Sequence, residues 1–240
     1  MEVESRLESA KQAIQEAQNA LLQAIQLAPQ RADLAITLSK LQQMAGEKTA
    51  ALATIQQAMN NGNATVEQLI AAADQFQSLG DLAGGVLCLE KAVEYNQVRN
   101  DSQSLELLIK LAEAYLNKGD YNNASQTYER AISLAPNLAK LYYQRTHLLL
   151  KLGRIEDAFA CVETGISLAR TDPILPSLYI LAAWLYRQNS DLSSALGYIQ
   201  KGMEVDQRTV TASPGIESLL TLADRLLIAD IFRAALQPRQ

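Results

Sequence analysis

Small residues at 17, 51, 85, 124, 158 and 195 stand 34, 34, 39, 34 and 37 residues apart. Five extra residues at 100–104 and three at 173–175 account for the longer steps, so one period of 34 runs through the chain. That period excludes most folds. A unit this short cannot bury a core alone and must stack on its neighbours. Within each unit apolar residues step by three and four, the spacing of one helix face. Glycines at 46, 80, 119 and 153 punctuate four units near the middle, dividing each into two helices.

The clearest unit is 105–138. Leu111-Ala112-x-x-Tyr115 precedes Gly119-Asp120-Tyr121, then Ala124, Tyr128 and Ala131 follow, and Pro136 closes it. Small residues at 112 and 124 let two antiparallel helices approach closely, while Leu111, Tyr115 and Tyr128 fill the space beside them. Gly119 suits a left-handed helix C-cap, and Pro136 cannot continue the second helix. The pattern resembles a tetratricopeptide (TPR) repeat. The resemblance implies an all-α, right-handed α-solenoid of helix-turn-helix repeats.

In order, 1–31 reads as a degenerate first repeat. Ala17, Leu21, Ala24 and Pro29 keep second-helix spacing, but Gln12 and Ala13 stand where the Gly turn belongs, so the helix is expected to run unbroken. Repeats at 32–65, 66–99, 105–138, 139–172 and 176–209 follow. Asn60-Asn61-Gly62-Asn63 supplies a turn where proline is missing, Ser190 replaces the turn glycine, and Arg145 stands where the family has an apolar residue. After Ser213-Pro214, an N-cap and first-turn signature, 214–236 is expected to form a capping helix on the sixth unit. Its apolar face reads as Ile216, Leu219, Leu220, Ala223, Leu226 and Leu227, opposite a polar arc of Glu217, Ser218, Thr221, Asp224 and Arg225. The reading is therefore a single array over 1–240.

A net charge of −5 and no basic stripe argue against nucleic acid. No apolar run approaches a membrane span, and 1–10 is acidic rather than signal-like, so a soluble, cytoplasmic protein without membrane insertion is expected. Cys88 and Cys161 occupy the same position of non-adjacent repeats and read as small buried hydrophobes. One histidine, two separated cysteines and scattered carboxylates give no metal set, no phosphate loop is present, and no nucleophile has a histidine partner at motif spacing. Neither a cofactor nor an enzymatic activity is expected.

The resemblance implies that first helices line a concave, peptide-binding groove. Carried over by position, the fifth-residue row is Ile36, Ile70, Ile109, Tyr143 and Ile180, and the ninth-residue row is Lys40, Asp74, Glu113, His147 and Trp184. Arg187 joins Lys140, His147 and Lys151 in a basic later part, after an acidic middle of Glu67, Asp74, Glu106 and Glu113. The bland alternative is that the isoleucines merely pack between neighbouring helices and the charges are solvated. The Lys, Asn and Arg set with which one TPR subfamily grips chaperone tails is not reproduced in any three consecutive units.

The expected function is a non-enzymatic scaffold that holds a protein or peptide ligand. The alternatives are a regulatory arm of a larger enzyme or signalling protein, or a homo-oligomeric structural protein. Ile228 and Phe232 interrupt the polar arc of the last helix, and the Val3–Ala28 seam is longer than one repeat requires. Both ends thus offer apolar surface, unless the second unit uses all of the N-terminal stripe, and at least one end, the C-terminal before the N-terminal, is expected to contact another copy or an adjoining domain.

Overall fold

A computed structural model describes residues 2–62, 64–96, 102–170, 172–212 and 222–236. Among them are twelve α-helices and no strand. They are α1 (Glu2–Leu27), α2 (Ala32–Met44), α3 (Lys48–Asn60), α4 (Val66–Ser78), α5 (Leu82–Asn96), α6 (Ser102–Lys118), α7 (Tyr121–Leu134), α8 (Ala139–Lys151), α9 (Ile155–Leu168), α10 (Leu175–Gln188), α11 (Leu192–Ala212) and α12 (Leu222–Leu236). The fold is an all-α helical-repeat solenoid. The chain divides into two compact units, Met1–Asp120 and Tyr121–Gln240.

The turns follow from glycine. Gly46, Gly80, Gly119 and Gly153 all adopt left-handed φ, between +71° and +82°, which costs little without a Cβ. Ser190 takes the same conformation at φ +63° despite its side chain. There the backbone N–H of Asp191 donates to the carbonyl of Tyr186 (2.9 Å), as that of Asp120 does to Tyr115 (2.9 Å). The 60–62 turn again uses a left-handed glycine, Gly62. Thr65 opens α4 with a capping box, its hydroxyl accepting from the Gln68 N–H while the Gln68 side chain accepts from its own.

In the first unit, α2 packs on α3 and α4 on α5, through fully buried Ser39, Ala51, Ile55, Ala72 and Ala73. Successive first helices also meet. The Gln75 amide donates to the Ser39 hydroxyl (3.2 Å) and to the Gln43 side-chain oxygen (3.0 Å). Ser39 in turn donates to the carbonyl of Ala51 (2.9 Å), so this buried polar chain is satisfied. As expected, α1 is one unbroken helix. Ile14, Ala17, Leu21, Ala24 and Ala28 are half-buried and α1 packs on α2, whereas residues 6–13 are largely exposed, Leu7 included.

In the second unit, Leu149, Ala158, Val162, Leu178, Leu181, Ala182 and Leu185 form one core cluster. Gly165 sits where an added Cβ would come within 3.1 Å of both Leu178 and Tyr142. Arg145 has a physical account: its guanidinium pairs with Glu129 of α7, which replaces apolar packing by an ion pair. Cys88 and Cys161 are buried free thiols, and burial pushes the Cys88 thiol up to about 11.

The terminal helix corrects the helical-wheel reading. Ile216, Glu217, Ser218, Leu219, Leu220 and Thr221 lie outside the described residues, as do Ser213 and Pro214. In α12 itself the inward face is Asp224, Leu227, Ile228 and Ile231, at helical spacing, and not the face that carries Leu226. Ile231 is fully buried with Ile180, Ala183, Ala195 and Ile199, whereas Leu226 is 63% exposed. The carboxylate of Asp224 turns inward because the Ser177 hydroxyl donates to it (2.8 Å), so its burial is compensated.

Candidate protein-interaction faces

Each unit presents first-helix faces that can be assessed residue by residue. In the first unit, Ile36 on α2 is buried, while Ile70 on α4 and Ile109 on α6 are half-buried. Beside them Lys40, Asp74 and Glu113 are exposed. The Lys110 ammonium approaches Asp74 at 4.0 Å, an exposed pair of little energetic weight. This face combines partly covered apolar residues with solvated charge of both signs, a chemistry suited to holding a polypeptide.

In the second unit, Tyr143 and His147 of α8 meet edge to face, ring centroids 4.7 Å apart. Burial holds His147 below the ordinary imidazole value, Asp224 raising it and Lys151 lowering it further. Burial also pushes the Tyr143 phenol up to about 12, with a contribution from Asp224. Both groups are therefore neutral at pH 7, and the positive charge of this face comes from exposed Lys140 and Lys151. The Lys151 ammonium stands over the Tyr121 ring at 5.4 Å.

Of the remaining three positions, two are engaged within the chain. Ile180 is fully buried beneath α12 and offers no surface. Arg187 pairs with Asp230 of α12 at 3.1 Å. Trp184 is half-buried, packed against the Leu149–Leu178–Leu185 cluster. Residues read by position thus divide into open (Lys40, Asp74, Glu113), half-open (Ile70, Ile109, Tyr143, His147, Trp184 and the ion-paired Arg187) and enclosed (Ile36, Ile180).

A tyrosine cluster escaped the positional reading. Tyr186 stacks on Tyr198 (5.1 Å, 18°) and meets Phe159 edge to face (5.1 Å), and the Tyr198 hydroxyl donates to Glu163 (2.8 Å). Tyr186 stands in its repeat where Tyr115 stands in 105–138, but Tyr198 and Phe159 stand one residue off the periodic set, so periodicity carries no signal for them. The Ser177 hydroxyl donates directly to the Asp224 carboxylate, which holds that carboxylate in place. Among the described residues no cluster of His, Cys, Asp and Glu could hold a metal, and no helix is long and apolar enough to cross a membrane.

The tetratricopeptide repeat family model matches residues 105–138 and 139–172. DnaJ homolog subfamily C member 7 of Mus musculus is 25% identical over 118 residues, 49% of this chain and 23% of that protein. The chain thus spans under a quarter of that relative's length. Similar solved structures include MamA, with 20% identity and a TM-score of 0.56 over 72% of this chain and 96% of that one. YrrB, described as a TPR protein with an unusual peptide-binding site, has 18% identity and a TM-score of 0.54 over 78% and 93%. BtubC from P. vanneervenii has 15% identity and a TM-score of 0.56 over 92% and 98%. At these identities the likeness is one of fold.

Proposed function

With tetratricopeptide repeats at residues 105–138 and 139–172, we propose that this protein is a non-enzymatic, cytoplasmic interaction scaffold built as a single array. Its first-helix faces hold an extended peptide or amphipathic helix of a protein partner. The observation that carries this reading is the half-open aromatic set of the second unit, Tyr143, His147 and Trp184, beside exposed Lys140 and Lys151. Half-buried aromatic rings are rigid anchors, lose little entropy on binding, and dominate interface energetics. The flanking lysines suit a ligand with acidic residues or a carboxylate end, with more effect on association rate than on affinity. In the first unit, exposed Asp74 and Glu113 favour a basic stretch.

The test is affinity capture from the source cell, comparing the natural chain with a Tyr143→Ala, Trp184→Ala double variant. Loss of a hot spot costs about 2 kcal/mol or more, or about 30-fold in affinity, and should empty the capture while leaving helicity intact. Equal capture by both proteins refutes the reading. A second reading, a regulatory arm within a larger enzyme or signalling protein, draws on the match to a relative of which the chain spans 23%. Whether the natural reading frame continues past Gln240 separates the two.

A further inference from the structure

The two end helices carry complementary halves of one repeat. In α12, Ile228-Ala229-x-x-Phe232 reproduces the spacing of Leu111-Ala112-x-x-Tyr115 and Ala182-Ala183-x-x-Tyr186, the first-helix signature. Its packing agrees. Ser177–Asp224 (2.8 Å) and Arg187–Asp230 (3.1 Å) join α10 to α12 much as Gln68–Asp33 (3.3 Å) and Gln75–Gln43 (3.0 Å) join α4 to α2. Thus α12 stands against α10 as one first helix stands against the previous one, and not as a cap with a polar outer side.

Among the described residues no helix follows α12 to pack on its outer side. The small residue of the signature is fully buried at Ser39, Ala73, Thr146 and Ala183 but exposed at Ala229. The large one is 3% exposed at Phe76 and 0% at Leu149, yet 44% at Phe232. Conversely, α1 has second-helix spacing (Ala17, Leu21, Ala24, Pro29), and among the described residues it packs chiefly on α2, with no helix before it. The equivalent Ala51, Ile55, Ala158 and Val162 are fully buried, whereas Ala17, Leu21 and Ala24 are half-buried, and Ala13 and Ala20 on that side are exposed.

We propose that α12 of one copy and α1 of the next complete a repeat between them, so that the protein associates head to tail. Pairing geometry comes from the intact repeats. There Ser39 donates to the Ala51 carbonyl (2.9 Å) and Thr54 donates to Gln42 (2.8 Å). The same register sets Ala229 against Ala17 and Phe232 against Ala20. Two alanines meeting allow close helix approach, and the alanine-rich side of α1 leaves room for the phenylalanine ring. Charge agrees as well. The exposed charges beside the open face of α12 are Arg225 and Arg233, and between residues 12 and 27 α1 carries a single charge, Glu16. The contact joins different surfaces, so it propagates into a chain of copies unless rotation closes it into a ring. It is independent of what the first-helix faces bind.

Sedimentation of the full chain over a wide concentration range tests this, together with cross-linking in trans. The expected result is a mass that rises with concentration, and self-association weakened about tenfold or more by Phe232→Glu, with unchanged circular dichroism. A thiol-specific cross-linker should join an Ala229→Cys chain to an Ala17→Cys chain when the two are mixed, and join neither to itself. A monomer at all concentrations overturns the proposal. So does a product from the Ala229→Cys protein alone, which denotes a symmetric tail-to-tail dimer.

Discussion

Ser190→Gly tests the turn geometry directly. At φ +63° the Cβ of Ser190 crowds the backbone, a strain of about 1–2 kcal/mol for an L-residue in the left-handed region. Glycine removes that strain but brings a more flexible unfolded chain, which offsets about 0.5–1 kcal/mol. The net expectation is a gain of about 1 kcal/mol, or about 2–4 °C in melting temperature for a chain of this size. The reciprocal variant is Gly153→Ser at φ +71°, where nothing lies within 4 Å of an added Cβ. With no clash available, its loss of about 1 kcal/mol reports backbone conformation alone. Urea unfolding followed by circular dichroism measures both, with the m-value checking that cooperativity is unchanged. Opposite signs are required. If Ser190→Gly destabilises, or Gly153→Ser is neutral, the two turns do not share the left-handed conformation.

Ala158 is fully buried in the second unit's core, so Ala158→Leu should overpack the α8–α9 crossing and cost about 1–3 kcal/mol, read by thermal melting. Ile231→Ala empties the apolar anchor of α12 and should cost about 2–5 kcal/mol, with faster amide exchange in α12 than in α8 as the diagnostic. The folded state holds His147 below its ordinary imidazole value, so the unfolded chain binds its proton first as pH falls. Stability should therefore decline on acidification from the ordinary histidine value down to the depressed folded one, and His147→Gln should flatten that slope in pH-dependent urea melts. Asp33 and Asp191, both held below the usual carboxylate value, lose their contribution only at lower pH and do not mask the histidine window.

The sequence by itself determined the helices, the turns and the small buried positions. Each is written several times over: a left-handed glycine at 46, 80, 119 and 153, and a fully buried alanine at 51, 124, 158 and 195. A pattern repeated at a fixed period is averaged over its copies, so one departure such as Ser190 or Arg145 does not obscure it. The candidate faces were legible as rows of positions but not as surfaces. Ile180 and Ile70 hold the same place in their units, yet one is sealed beneath α12 and the other half-open. Nor did anything local announce that Arg187 pairs with Asp230, or that Asp224 turns inward while Leu226 faces out. A terminal helix occurs once and carries apolar residues on two sides. Which side is buried depends on what its neighbour supplies, and here the Ser177 hydroxyl and the Ile180–Ile199 surface decide it. That choice lies in contacts between residues 177–199 and 224–231, far apart along the chain, and only the tertiary structure brings them together.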